Sequence, residues 1–418
     1  MRPSRLCLIL FTALIATLRL ACAAPTDDNP AAALAAALEA RRQPLQLADG
    51  VLQGAGAARL LADARAAQFV LVGEDHGFAD VPAFTLALQR ALAPAALVME
   101  IGPHSAARVE RALRADPQAL ARLQATHPFA VPFLCWREYA ALAGAAVGAP
   151  APALWGIDQE FVLSPRLHFA RLAELAPDAD ARRLAEDYRR RDAEAYRTLV
   201  ERRDPGAALL PRLREQDFAA LRGAFAGAAP EARALIDALA DSAALYRGQS
   251  TDPYASNRDR AKLMKRAFMT RYVALAARQP QPRVLFHMGA YHVGRGRSPT
   301  DQYDVGNLAA ELAESTGARS YHVLVLAAGG RVNRWLPFAP DAALKQADYD
   351  AHAELDPLGA GPLLDHALRG SWTLFDLAAM RDEPALRKAG GPAFDRLVFA
   401  YDAVVVIDVA QPARFFGD

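Results

Sequence analysis

The sequence predicts an α/β protein, a mostly parallel central sheet flanked by helices and carrying a large helical insertion. Three observations point there. Six short apolar runs lack the polar alternation of a half-exposed strand, the pattern expected of strands covered on both faces. Helix-like sequence separates them, and strand–helix alternation builds parallel sheets. Residues 164–280 are instead rich in Arg, Glu, Ala and Leu at helical spacing and hold no convincing strand.

Taken in order, residues 25–48 are Ala-rich and read as a loose lead-in or a first helix. The expected strands are Phe69–Val72, Ala96–Met99, Ala153–Ile157, Arg283–Phe286, Tyr321–Leu326 and Ala403–Ile407. The insertion falls between the third and fourth, and Pro177, Pro205, Pro211 and Pro230 interrupt any long coiled-coil register in it. The core domain is then 25–163 with 281–418, and 164–280 is the helical insertion.

Residues 1–24 read as a signal peptide. Arg2 and Arg5 precede an apolar stretch from Leu6 to Leu18, and Ala21-Cys22-Ala23 offers a small-x-small cleavage site. That stretch is short for a membrane span, and no other run is longer, so the mature chain is expected to start near Ala23/Ala24 and be periplasmic or secreted. Cys22 offers a lipoprotein alternative, although Arg19-Leu20-Ala21 places Leu one position too late for that signal. On either reading Cys135 is a lone thiol, so stability comes from the core and not from an internal disulfide.

The composition, 53% apolar and 23% charged, is that of a globular chain. The formal charge of +1 falls to about −2 without the leader's three arginines. There is no electrostatic footprint for nucleic acid or an anionic membrane, so a small-molecule substrate is the expected partner.

The informative polar residues fall at the ends of four expected strands. The first ends in Gly73-Glu74-Asp75-His76-Gly77, the second in Met99-Glu100-Ile101-Gly102 and the third in Gly156-Ile157-Asp158-Gln159-Glu160. The fourth leads from His287 through Gly289 to His292-Val293-Gly294. Ligands bind outside the carboxyl ends of strands in open α/β sheets. Each residue also has a bland reading. Glu74, Asp75 and Asp158 could cap helices, His76 could be a surface loop residue, and Glu100 could serve a structural ion pair. His287 fits a hydrogen-bonded core histidine, and Arg258-Asp259 fits solvated helix charges. His292, in a Gly-rich turn, has no packing reason to be there.

Absent motifs narrow the chemistry. The sequence has no G-x-S-x-G elbow, H-E-x-x-H, paired C-x-x-C or P-loop, and Gly54-Ala55-Gly56 follows no expected strand and lacks a third glycine. What remains suits activation of water by a general base, or equally a His/carboxylate metal site.

These residues resemble the erythromycin esterase-like superfamily, which also embraces the ChaN-like haem-binding lipoproteins and, more distantly, the Tiki and TraB proteins. The resemblance rests on Gly73-Glu74-x-His76-Gly77, Glu100 and Gly289-x-x-His292-Val293. Trp155-Gly156-Ile157-Asp158, Arg258-Asp259 and Tyr401-Asp402-Ala403-Val404-Val405-Val406 extend it over roughly residues 66–410. It implies an exported hydrolase in which His76 activates water for attack on an ester or lactone. Glu74 or Glu100 would orient His76, His292 would assist, and Arg258 would steady the oxyanion. Asp158 and His287 are assigned to substrate binding. A histidine near its reference pKa of about 6.5 suits that base role at neutral pH. No cofactor is required on this reading; a divalent metal or haem enters on the alternatives, a ChaN-like haem or iron carrier or a metal-dependent Tiki-like peptidase. One departure stands out: antibiotic esterases carry His-Asn where this chain has Gly289-Ala290.

Overall fold

The computed structural model describes residues 29–147, 153–334 and 345–416. The expected leader, with Cys22 and the cleavage position, lies outside the described residues.

The six expected apolar runs form β3 (Phe69–Glu74), β4 (Ala96–Met99), β5 (Ala153–Gly156), β6 (Val284–Gly289), β7 (Ser320–Ala327) and β11 (Ala403–Ile407). They lie side by side in the order β11-β7-β3-β6-β4-β5, each pair parallel. Three further strands, β1 (Arg42–Ala48), β2 (Val51–Gln53) and β10 (Trp372–Asp376), extend the sheet beyond β11 in antiparallel pairing. β1 falls inside the expected lead-in, behind the helix Pro30–Arg41, because its sequence buries one residue, Leu45, and carries Pro44. A separate hairpin pairs β8 (Arg331–Asn333) with β9 (Gln346–Asp348). Since β2 ends at Gln53, Gly54-Ala55-Gly56 does follow a strand, contrary to expectation. It sits at an antiparallel edge, where a Cβ at Gly54 would press on the Pro44 carbonyl at 2.8 Å.

Helices cover both faces. Leu60, Phe84, Val109 and Tyr139 pack on one side with Val70 and Val72, and Phe268, Val305 and Phe394 pack on the other with Phe69 and Leu71. Between β5 and β6 come the helices Pro165–Glu174, Ala179–Arg202, Glu215–Ala224, Pro230–Thr251 and Pro253–Ala276. The first four bury Phe169, Phe218, Phe225, Leu235 and Leu239 among themselves. The last lays Met264 and Phe268 against Trp155 and Phe286 of the sheet, which fixes its position relative to the strand ends. Among the described residues no helix is long and apolar enough to cross a membrane.

Candidate active site

Strand register sets the site. Glu74 is paired with Gly289 across β3 and β6, and Met99 with His287 across β4 and β6, so Glu100 emerges beside both. Glu74 is not a helix cap, because the next helix starts at Asp80 without a side-chain cap. It is buried, and its carboxylate is shared. Oε1 accepts from His76 Nδ1 at 2.8 Å, and Oε2 accepts from the Tyr139 hydroxyl at 2.7 Å. Gly77, at φ +100°, turns the chain where a Cβ would lie 2.4 Å from the Asn333 carbonyl, which brings His76 back over Glu74. Phe133 stacks on the His76 ring at 4.3 Å.

Glu100 is the hub. Oε1 accepts from Arg260 at 2.8 Å and lies 3.4 Å from His292 Nε2. Oε2 accepts from the Gly289 backbone N–H at 2.8 Å and lies 3.6 Å from His76 Nε2. Asp304, which also caps the following helix through Val305 N–H, accepts from His292 Nδ1 at 2.7 Å. Each imidazole therefore has one nitrogen tied to a carboxylate and Nε2 turned toward Glu100. The structure brings Glu74, His76, Glu100 and His292 together at one edge of the sheet. They line a cavity of about 290 Å³, completed by Asp75, Tyr291, Glu354 and Leu355 among others.

The charges are strongly coupled. Burial alone would raise the Glu74 pKa, but the His287 and His76 imidazoles outweigh it and hold it at about 2. Burial alone would lower His76; Glu74, then Glu100, raise it instead to about 9. His292 is raised against its burial to about 10, chiefly by Glu100 and Asp304. Glu100 is held well below the usual carboxylate range despite burial, by His292, Arg260 and His76 in turn. At neutral pH both imidazoles therefore carry a second proton, which corrects the expectation of a His76 near its reference value.

Three expected residues fall elsewhere. Arg258 is exposed, pairs with its neighbour Asp259 at 3.0 Å and does not line the cavity. The arginine on Glu100 is Arg260, two residues along the same helix and so on nearly the opposite face. Its spacing from the buried Met264 and Phe268, four and eight residues on, is the sequence signal that marks it. Asp158 caps no helix; both its oxygens accept from Arg260, at 2.9 and 2.6 Å, which makes it a positioning residue. His287 does not line the cavity. It is buried behind Glu74, 3.2 Å away, with Nδ1 on the Thr85 hydroxyl at 2.9 Å. Asp304, Tyr139 and Phe133 also reach the site, and none belongs to a strand-end motif.

A larger cleft of about 800 Å³ lies between the helices Pro230–Thr251 and Pro253–Ala276, with Asp158 in its wall. None of its described lining residues is a histidine, whereas the smaller cavity is lined by His76 and His292. Among the described residues no group of three His, Cys, Asp or Glu has the arrangement of a metal site.

No family model matches the chain, and no curated protein matches it in sequence. Solved structures do share its fold. An erythromycin esterase, EreC, solved as a mutant in its open conformation, superposes with a TM-score of 0.56 at 16% identity, over 90% of this chain and 100% of that one. A protein from Bacillus cereus gives 0.56 at 15% identity, over 92% and 99%. A succinoglycan biosynthesis protein gives 0.54 at 12%, over 92% and 98%. The chain therefore has an erythromycin esterase-like fold.

Proposed function

We propose that this chain is an exported hydrolase of carboxylic esters or lactones that uses His76 to activate water. The observation that carries the reading is the cradle itself. Two imidazoles, each backed by its own carboxylate, face one shared carboxylate at the mouth of a cavity, on an esterase-like fold. None of the described residues that line the cavity is a serine or cysteine, so water is the attacking group.

Access divides the work. His76, with its side chain about 30% exposed against 14% for His292, is the ring that meets water and loses its proton to it as pH rises. Neutral Nε2 of His76 then takes a proton from water as the oxygen bonds to the substrate carbonyl carbon. His292, still protonated, gives its Nε2 proton to the departing alkoxide oxygen as the carbon–oxygen bond breaks. The acid and alcohol leave, and one proton moves from His76 to His292 through solvent to reset the pair. Arg260 and the Gly289 N–H hold Glu100 ionised and fixed, which keeps His292 charged until it acts.

The cavity, about 290 Å³, lies near the lower end of small-molecule pocket sizes, so a small ester fits inside it and the bulk of a macrolide-sized substrate would extend outside. The purified protein is expected to turn over short-chain aryl esters, faster at pH 9 than at pH 7. Failure on a panel of aryl esters and lactones across pH 6–10 would contradict the reading.

A further inference from the structure

The cavity at the strand ends has a side recess. A hollow of about 40 Å³, room for little more than a carboxylate, lies against it, and the two share Ala290, Tyr291 and Leu358 as walls. Arg295, Arg297 and Arg396 line the recess and not the cavity. Their charges are not equally spent. Arg295 is committed to Asp402 through two bonds, at 3.0 and 2.7 Å. Arg297 reaches only Asp301, at 3.4 Å. Arg396 is exposed and pairs with no carboxylate among the described residues.

Arg297 and Arg396 stand on fixed backbone. Gly296, at φ +74°, donates its N–H to Asn307 Oδ1 at 2.9 Å. The Arg295 N–H donates to the Ala400 carbonyl at 3.1 Å, which ties the loop of Arg297 to the end of the helix Gly391–Ala400. Arg396 lies on that helix, next to the buried Leu397. The cavity has the opposite sign. Beyond Glu74 and Glu100, which face the two imidazoles, it is lined by Asp75 and Glu354. A negative group is repelled there and drawn to the recess, whereas an uncharged ester enters the cavity freely.

We propose that the recess seats a carboxylate of the substrate, so that the preferred substrate is an ester with an anionic tail. The neutral ester group lies in the cavity with His76 and His292, and the tail crosses Tyr291 to Arg297 and Arg396. A guanidinium offers such a tail two parallel N–H donors. The inference rests on the hydrolase reading and names the class of ester.

Calorimetry with unreactive half-amides tests it. The monomethylamides of succinic, adipic and suberic acids place one carboxylate at increasing distance from a carbonyl that resists hydrolysis, and the bis-methylamides are their uncharged twins. At low ionic strength at least one half-amide should bind about tenfold more tightly than its twin, the worth of one or two exposed charge pairs. Arg396→Gln should abolish that preference, and Arg396→Lys should restore part of it. Neither change at this exposed position should move the melting temperature. Equal affinity of half-amide and twin at every length, no binding of any half-amide, or an undiminished preference in Arg396→Gln overturns the seat. Turnover of aryl esters by the unmodified protein separates the two ideas. Turnover without a charge preference removes only the seat, whereas a charge preference without turnover removes the hydrolase reading and leaves the anion site standing.

Discussion

The cluster around Glu74, His76, Glu100 and His292 has a counterpart a short way along the same edge, built from Glu160, His168 and Ser105. The chemical groups and distances are alike. His168 Nε2 is 2.8 Å from Glu160 Oε2, which also accepts from Ser105 Oγ at 2.6 Å, while Oε1 accepts from the His104 N–H at 2.7 Å. Glu160 is likewise held at about 2: burial raises it, and the His168 imidazole outweighs that. The difference is access. The His168 side chain is 3% exposed and borders a recess of about 20 Å³, room for one water at most, while His76 opens on a cavity more than ten times larger. Paired imidazole and carboxylate are therefore no sign of chemistry by themselves. At Glu160 they secure the start of the helix Pro103–Ala115; at Glu74 the same pairing leaves a ring nitrogen turned toward a cavity.

The contrast breaks most cleanly at the two histidines. His76→Ala should lower ester turnover about 10²–10⁴-fold, the usual range for a general base, with a smaller loss of stability than at His168 because the ring is about 30% exposed and Tyr139 still donates to Glu74. Next comes the arginine pair. Arg260→Gln should cut kcat/KM about 10–100-fold by releasing Glu100, as loss of a supporting contact does, whereas Arg258→Ala should leave both activity and melting unchanged. His168→Ala should do the reverse of His76→Ala. Removing one partner of a buried ion pair costs about 3–5 kcal/mol, so urea unfolding should shift strongly while turnover per folded molecule is kept. If His168→Ala abolished turnover without loss of stability, the division between an open and a sealed cluster would fail.

The smallest effect separates the clusters by pH. His76 and His292 are raised above their ordinary 6.5, so their stabilisation is complete below about pH 6.5 and is lost as pH climbs through 9 and 10. Glu74 and Glu160 are depressed from 4.5, so theirs is complete above about pH 4.5 and is lost as pH falls toward 2. Melting temperature should decline on the alkaline side, and His76→Ala should flatten that limb while leaving the acid limb, to which Glu160 contributes, in place. An unchanged alkaline limb would mean that His76 is not held charged by its carboxylates.

Legibility in the sequence followed burial. The six strands read from continuous apolar runs are the parallel ones, covered on both faces. The other five described strands, β1, β2, β10 and the β8–β9 hairpin, pair antiparallel, where the chain needs fewer buried residues. β1, with Leu45 its one buried position, offers no run to find. The strand-end acids and histidines were visible because short polar motifs interrupted apolar runs. Arg260 and Asp304 were not, because each reaches the site from a helix or a helix cap, far away in sequence from the group it meets. In the Arg258-Asp259-Arg260 run only helical phase separates the exposed arginine from the one on Glu100, and the local motif does not carry that phase.

The central claim is that His76, held protonated by Glu74 and Glu100, must lose a proton before it can act as a base. The most direct test is the pH dependence of kcat/KM on an aryl ester whose leaving group needs no protonation. The rate should rise tenfold per pH unit and level off near pH 9, with the rise absent from whatever activity His76→Ala retains. A rise that levels off near 6.5 would show an unperturbed base, and a pH-independent rate, or the same rise in His76→Ala, would show that His76 is not the base.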